Sequence, residues 1–116
     1  MRPFGAALCA AMLSLSLAPA AHASSTDPGT ISEIIAFGDG GVVFFNLSGA
    51  RSTLPTCNGS TLPTRWAIDA STIAGQAKLA ILLSAYGLGK KIQVFGTGAC
   101  PLWPDTETAG WFVVKD

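Results

Sequence analysis

The chain has 116 residues, with seven basic and seven acidic side chains and one histidine. That length holds one domain with a modest core. The balanced charge excludes the basic surface that nucleic acid or an anionic membrane would require. Residues 1–23 read as a cleavable signal peptide. Arg2 supplies the positive start, Phe4 to Leu17 is nearly all apolar, and Pro19 breaks the run. Ala21-His22-Ala23 then has the small-x-small form that a signal peptidase reads. A transmembrane anchor is the competing reading, but a span takes about 20 apolar residues and this run is shorter. No lipobox surrounds Cys9. Cleavage after Ala23 removes Arg2, Cys9 and His22 and leaves 24–116 as one domain, secreted or periplasmic, without a membrane span of its own. The first residues of that domain, Ser24 to Gly29, are polar and turn-forming.

Two cysteines then remain, Cys57 and Cys100. An even count in an exported chain points to a disulfide. The rival is a metal or redox site. With no histidine and no CxxC after processing, three or four ligands cannot be assembled in the usual way, so no metal or cofactor is expected.

Along the chain, Gly29 to Phe37 is the first strand candidate, and Gly38-Asp39-Gly40-Gly41 carries the Asp-Gly signal of a tight hairpin. Val42 to Leu47 is a second strand. Ser48 to Pro63 is punctuated by glycine and proline and reads as a long loop around Cys57. Thr64 to Asp69 alternates, placing Trp66 and Ile68 on one face and Arg65, Ala67 and Asp69 on the other. Ser71 to Tyr86 switches to a helical period. Asp69, Ser71 or Thr72 can cap its start and Gly87 stands where a glycine would end it. The helix is apolar around much of its circumference and should be largely covered. Lys90 to Phe95 is a fourth strand and Ala109 to Val114 a fifth. The order β-β-β-α-β-β is mainly β with one helix and matches a five-stranded OB-fold barrel. The alternative is an open α+β sheet, which leaves exposed edges.

The stretch Arg65-Trp66-Ala67-Ile68-Asp69, then Ser71 to Ala77, Leu82 to Tyr86, Gly89 to Val94 and Gly96-Thr97-Gly98-Ala99-Cys100 resembles a group of small bacterial exported proteins. More distantly, it resembles the B subunit of subtilase-type AB5 toxins. The resemblance covers the helix, the strand after it and the element order. It implies an OB-fold and suggests ring-shaped homo-pentamers that bind sialylated glycans. The toxin subunit's sugar-binding serine has no clear match here, so no binding residue carries over.

Catalysis finds little to work with. After processing there is no imidazole, and paired cysteines leave no free thiol. The candidates that remain are the carboxylates Asp39, Asp69, Asp105 and Glu107. Asp105 and Glu107 are two apart and can point the same way on a strand, as a glycosidase pair would. The simpler reading makes Asp105 a turn residue after Pro104 and Glu107 a solvated or locally bonded acid. No Walker motif accompanies the glycines. Sugar binding fits better, because a tryptophan face packs on a sugar ring while acids bond its hydroxyls. Trp103 lies in the loop Pro101-Leu102-Trp103-Pro104-Asp105, so Trp103, Asp105 and Glu107 are the ligand-binding candidates, with packing beside the disulfide the competing and simpler role for Trp103. Trp66 and Trp111 read as core. Two functions follow: an exported, non-enzymatic binding module for a glycan or protein surface, or a monomeric structural protein of the envelope without a small-molecule ligand.

Overall fold

A computed structural model describes residues 22–38 and 40–116. The expected signal sequence up to Ala21, and Asp39 of the expected hairpin turn, lie outside those residues. The described chain is mainly β with one helix: β1 (Ile31–Ala36), β2 (Val42–Leu47), β3 (Arg65–Asp69), α1 (Ile73–Leu88), β4 (Lys91–Gly96) and β5 (Ala109–Lys115). The five strands lie in two sheets, β1-β2-β3 and β4-β5, both antiparallel.

β2 is the centre of the first sheet. Its run of Val, Phe and Leu suits a strand covered on both faces, and Val43, Phe44, Phe45 and Leu47 are all buried. Phe45 faces Trp66 across the ladder, and these two join Leu47, Ile68, Leu82, Ile92 and Val94 in one core cluster. Ala67 is buried as well, although the alternation of β3 places it on the outer face. The chain before β5 covers it: the Ala67 amide donates to the Glu107 carbonyl at 3.2 Å, and Ala67 bridges Thr108 in parallel.

The helix begins where Thr72, in extended conformation, accepts the Gly75 amide on its Oγ1 at 2.9 Å. Thr72 is thus the cap, while Asp69 instead accepts from the Ser71 amide at 3.0 Å and from the Ser71 hydroxyl. Those bonds hold the Asp69 carboxyl below the usual carboxylate range. Gly75 packs so closely over the Asp69 carbonyl that a Cβ would overlap it.

The helix runs past Gly87 and stops at Gly89. Gly89 takes φ 64°, its amide bonds to the Tyr86 carbonyl, and Lys90 closes on Ala85 at 2.9 Å. Two glycines two residues apart both fit a helix end by sequence; the one in left-handed geometry decides. Only Gly75, Leu82 and Ala85 of the helix are buried. Ile73, Ile81, Leu83, Tyr86 and Leu88 are exposed, so the helix is not covered as its composition suggested.

Ser24 to Gly29, expected to be loop, is an extended segment that links the sheets. On one side Gly96 donates to the Ser24 carbonyl, Thr26 to Val94 and Gly29 to Ile92, at 2.8–2.9 Å. On the other, Asp27 donates to Ala50 and Ser52 to Ser25, both at 2.8 Å. Neither Gly29 nor Gly49 has room for a Cβ: on Gly29 it would overlap the Gly49 amide, and on Gly49 the Asp27 carbonyl. Cys57 and Cys100 form the expected disulfide, with Cα atoms 6.1 Å apart. Among the described residues no helix is long and apolar enough to cross a membrane.

Candidate functional site

The disulfide pins the loop from Thr97 to Thr108 against the loop around Cys57. Pro104 and Asp105 form the tip of a tight turn whose flanks, Trp103 and Thr106, bridge each other; the Thr106 amide donates to Trp103 at 3.1 Å. Proline fixes one dihedral there and aspartate tolerates the next. Asn58, buried beside Cys57, anchors the turn from below. Its Oδ1 accepts the Glu107 amide at 2.9 Å, and the neighbouring Gly59 amide donates to Asp105 at 2.8 Å.

This turn presents Trp103 half-buried at the surface. Phe37, at the end of β1, meets its ring edge-on at 4.7 Å, and Phe44 of β2 does so at 5.4 Å. Edge-to-face packing is the favourable arrangement for aromatic rings, and it fixes the indole while Phe37 stays 47% exposed. Beside it, Arg65 lies over the Phe44 ring and donates from Nη2 to Asp105 Oδ1 at 2.6 Å and from Nε to Thr106 Oγ1 at 2.9 Å. The Asp105 side chain is 50% exposed. An indole fixed by two aromatic neighbours and an oriented carboxylate therefore share one patch of surface.

Glu107 does not join that patch. It is fully buried, and its two oxygens are divided between partners. Oε1 accepts from Arg51 Nη2 at 3.0 Å and from the Ser24 hydroxyl. Oε2 accepts from the Ser24 amide at 3.1 Å and the Gly98 amide at 3.2 Å. Gly96 makes room: a Cβ there would overlap the carboxylate and come within 2.8 Å of the Trp66 ring. Arg51 lies over that ring at 3.7 Å and also donates to the carbonyls of Pro63 and Arg65. Burial holds its guanidinium below the ordinary value, with Glu107 pulling the other way. Such a carboxylate is a structural centre and is closed to a ligand at the surface. The side chains of Asp105 and Glu107 thus part company, one outward and one inward, and do not make an acid pair.

Sequence reasoning passed over Arg51, Arg65 and Phe37. The signal for the arginines was their scarcity: in a chain with so few charges, each arginine is a candidate partner for an acid. Trp111, read as core, is instead 54% exposed on β5 and stacks on Phe95 at 3.9 Å. A depression of about 320 Å³ lies elsewhere, lined by Ser25, Thr26, Asp27, Ala50, Arg51, Ser52 and Gln93. Among the described residues no group of His, Cys, Asp and Glu is placed to hold a metal ion. No family model, curated protein or solved structure matches the chain.

Proposed function

We propose that this chain is an exported, non-enzymatic binding domain with an OB-fold-like barrel, and that it takes a glycan on the patch formed by Trp103, Phe37 and Asp105. The observation that carries this reading is the Trp103 ring, propped edge-on by two phenylalanines beside the half-exposed carboxylate of Asp105. A ring held that way stacks on a sugar without losing further side-chain freedom, and the carboxylate accepts from sugar hydroxyls at a fixed spacing.

Two further observations support the barrel and the export. The Ser24–Gly29 segment runs directly into β1 and pairs with β4, while β3 touches the approach to β5 through the parallel Ala67–Thr108 bridge. Reading both links as ring closures gives the strand order β1-β2-β3-β5-β4-β1. The Cys57–Cys100 disulfide fits an oxidising compartment outside the cytoplasm. The exposed apolar residues of the helix, Ile81, Leu83, Tyr86 and Leu88 among them, support self-association of the kind a ring requires.

A glycan array probed with the processed protein tests the binding reading. Specific signals that weaken at least tenfold with Trp103→Ala are expected. An array without signals, together with a monomer by light scattering, would favour the envelope structural protein instead.

A further inference from the structure

Glu107 sits where a carboxylate is hardest to keep, fully buried and one residue from the turn that bears the candidate ligand patch. One of its partners is unusual. The Ser24 nitrogen lies 3.1 Å from Oε2 and 3.4 Å from Oε1, so a single amide proton is shared between two charged oxygens. Ser24 itself is 1% exposed, whereas His22 and Ala23 before it are exposed. The change from outside to inside falls between Ala23 and Ser24, which is the bond that the small-x-small pattern marks for a signal peptidase.

We infer that Glu107 is the receptor for the amino terminus created by processing: the Ser24 α-ammonium docks on its carboxylate, and the mature fold is completed by the cut. This rests on the export reading above, specifically on cleavage after Ala23. The chemistry balances with water as the only co-reactant. The peptidase hydrolyses the Ala23–Ser24 bond, the hydroxyl goes to the Ala23 carbonyl carbon, and the released nitrogen takes up protons to become an ammonium ion. One shared amide proton is replaced by three donors and a positive charge.

The surroundings are arranged for two cations on one carboxylate. Arg51 Nη2 takes Oε1 at 3.0 Å, and the Ser24 nitrogen lies closer to Oε2. The Gly98 amide also serves Oε2. Gly98 takes φ 77° and packs against the two residues before the bond; a Cβ there would come within 2.9 Å of the Ala23 nitrogen. The Ser24 carbonyl is already held by the Gly96 amide at 2.8 Å, so the new terminus starts inside a paired segment with little freedom left. The Ser24 nitrogen and carbonyl are both engaged in the fold, so the protease must act on the extended chain, before the domain closes.

The test uses the full chain exported with its own leader. Intact mass of the purified product reads the first residue, and brief reductive methylation near neutral pH reads the amine. A free α-amine titrates well below lysine and reacts first under those conditions. In the folded protein the Ser24 amine is expected to lose that lead over Lys78, Lys90, Lys91 and Lys115. Labelling should be at least about tenfold slower than in the same chain unfolded in urea, a factor that corresponds to one unit of pKa. A form that retains Ala23 should unfold at lower urea concentration than the form beginning at Ser24. A first residue other than Ser24 would overturn the cleavage reading and the docking with it. Ser24 first, but methylated ahead of the lysines in the native state, would overturn the docking alone.

Discussion

Replacing Glu107 with alanine strands several groups at once. Arg51, whose side chain is 5% exposed, loses its counter-ion, and the Ser24 and Gly98 amides and the Ser24 hydroxyl lose their acceptor. Removing one partner of a buried ion pair costs about 3–5 kcal/mol, because the remaining charge stays desolvated. Against a total stability of about 5–15 kcal/mol for a domain, that is a large share. With a urea slope of about 1–2 kcal/mol per molar for a chain of this size, the midpoint should fall by roughly 1.5–5 M. The expected loss is larger than the contact alone is worth. The discriminating variant is therefore the double replacement Arg51→Met with Glu107→Leu. Measured in the form that retains Ala23, where the Ser24 nitrogen is an uncharged amide, it removes both charges and fills the space, and it should recover part of what either single change loses. Urea unfolding followed by tryptophan fluorescence measures all three proteins. Should Glu107→Ala prove too unstable to purify, Glu107→Gln supplies the single-variant value, since its amide turns an NH2 toward donors. Single variants within about 0.5 kcal/mol of the parent, inside the range of ordinary surface changes, would refute the view that this pair organises the core.

Four other outcomes follow from the same contacts. Gly96→Ala places a methyl group against the Glu107 carboxylate and the Trp66 ring and should cost about 1–3 kcal/mol by urea unfolding. Reducing the Cys57–Cys100 bridge opens a loop with a sequence separation of 43 and should cost about 4 kcal/mol in the chain-entropy picture, read as a lower thermal midpoint in dithiothreitol. Asp69 is held below its usual range by Ser71, so its contribution is complete above the unfolded value of about 3.9 and drains away as pH falls through the lower folded value. Acid titration of Ser71→Ala, which keeps the backbone amide but removes the hydroxyl, should show a smaller stability loss over that range. Trp103→Ala, at a half-exposed position, should weaken glycan binding at least tenfold while lowering the urea midpoint far less than Glu107→Ala does.

What could be read from the residues alone was mostly local. β2 was fixed from Val42 to Leu47 by its run of Val, Phe and Leu, and the disulfide followed from cysteine count. Thr72 was among three named caps. The misreadings were long-range. Ser24 to Gly29 has the composition of a loop, and its partners Ile92 and Val94 lie more than sixty residues away; only the folded chain reveals that polar residues pair there. Glu107 reads from sequence as a solvated or locally bonded acid, and the counter-ion that lets it enter the core, Arg51, sits in a loop 56 residues distant. Trp103 and Asp105 were legible as surface residues because a Pro-Asp turn must lie outside, but of the phenylalanines that prop Trp103 one follows β1 and the other lies in β2, with no sequence signal of that contact. The helix was misjudged for a related reason: its apolar face was counted, and the number of elements that could cover it was not.

The most direct measurement is an NMR titration of the processed, 15N-labelled protein with the glycan that scores highest on the array. Binding at the turn should move the Trp103 indole resonance together with the amides of Phe37 and Asp105, and leave the Trp66 and Trp111 indoles where they are. An indole set that stays still throughout, or a response confined to Trp111, would contradict the placement of the binding face.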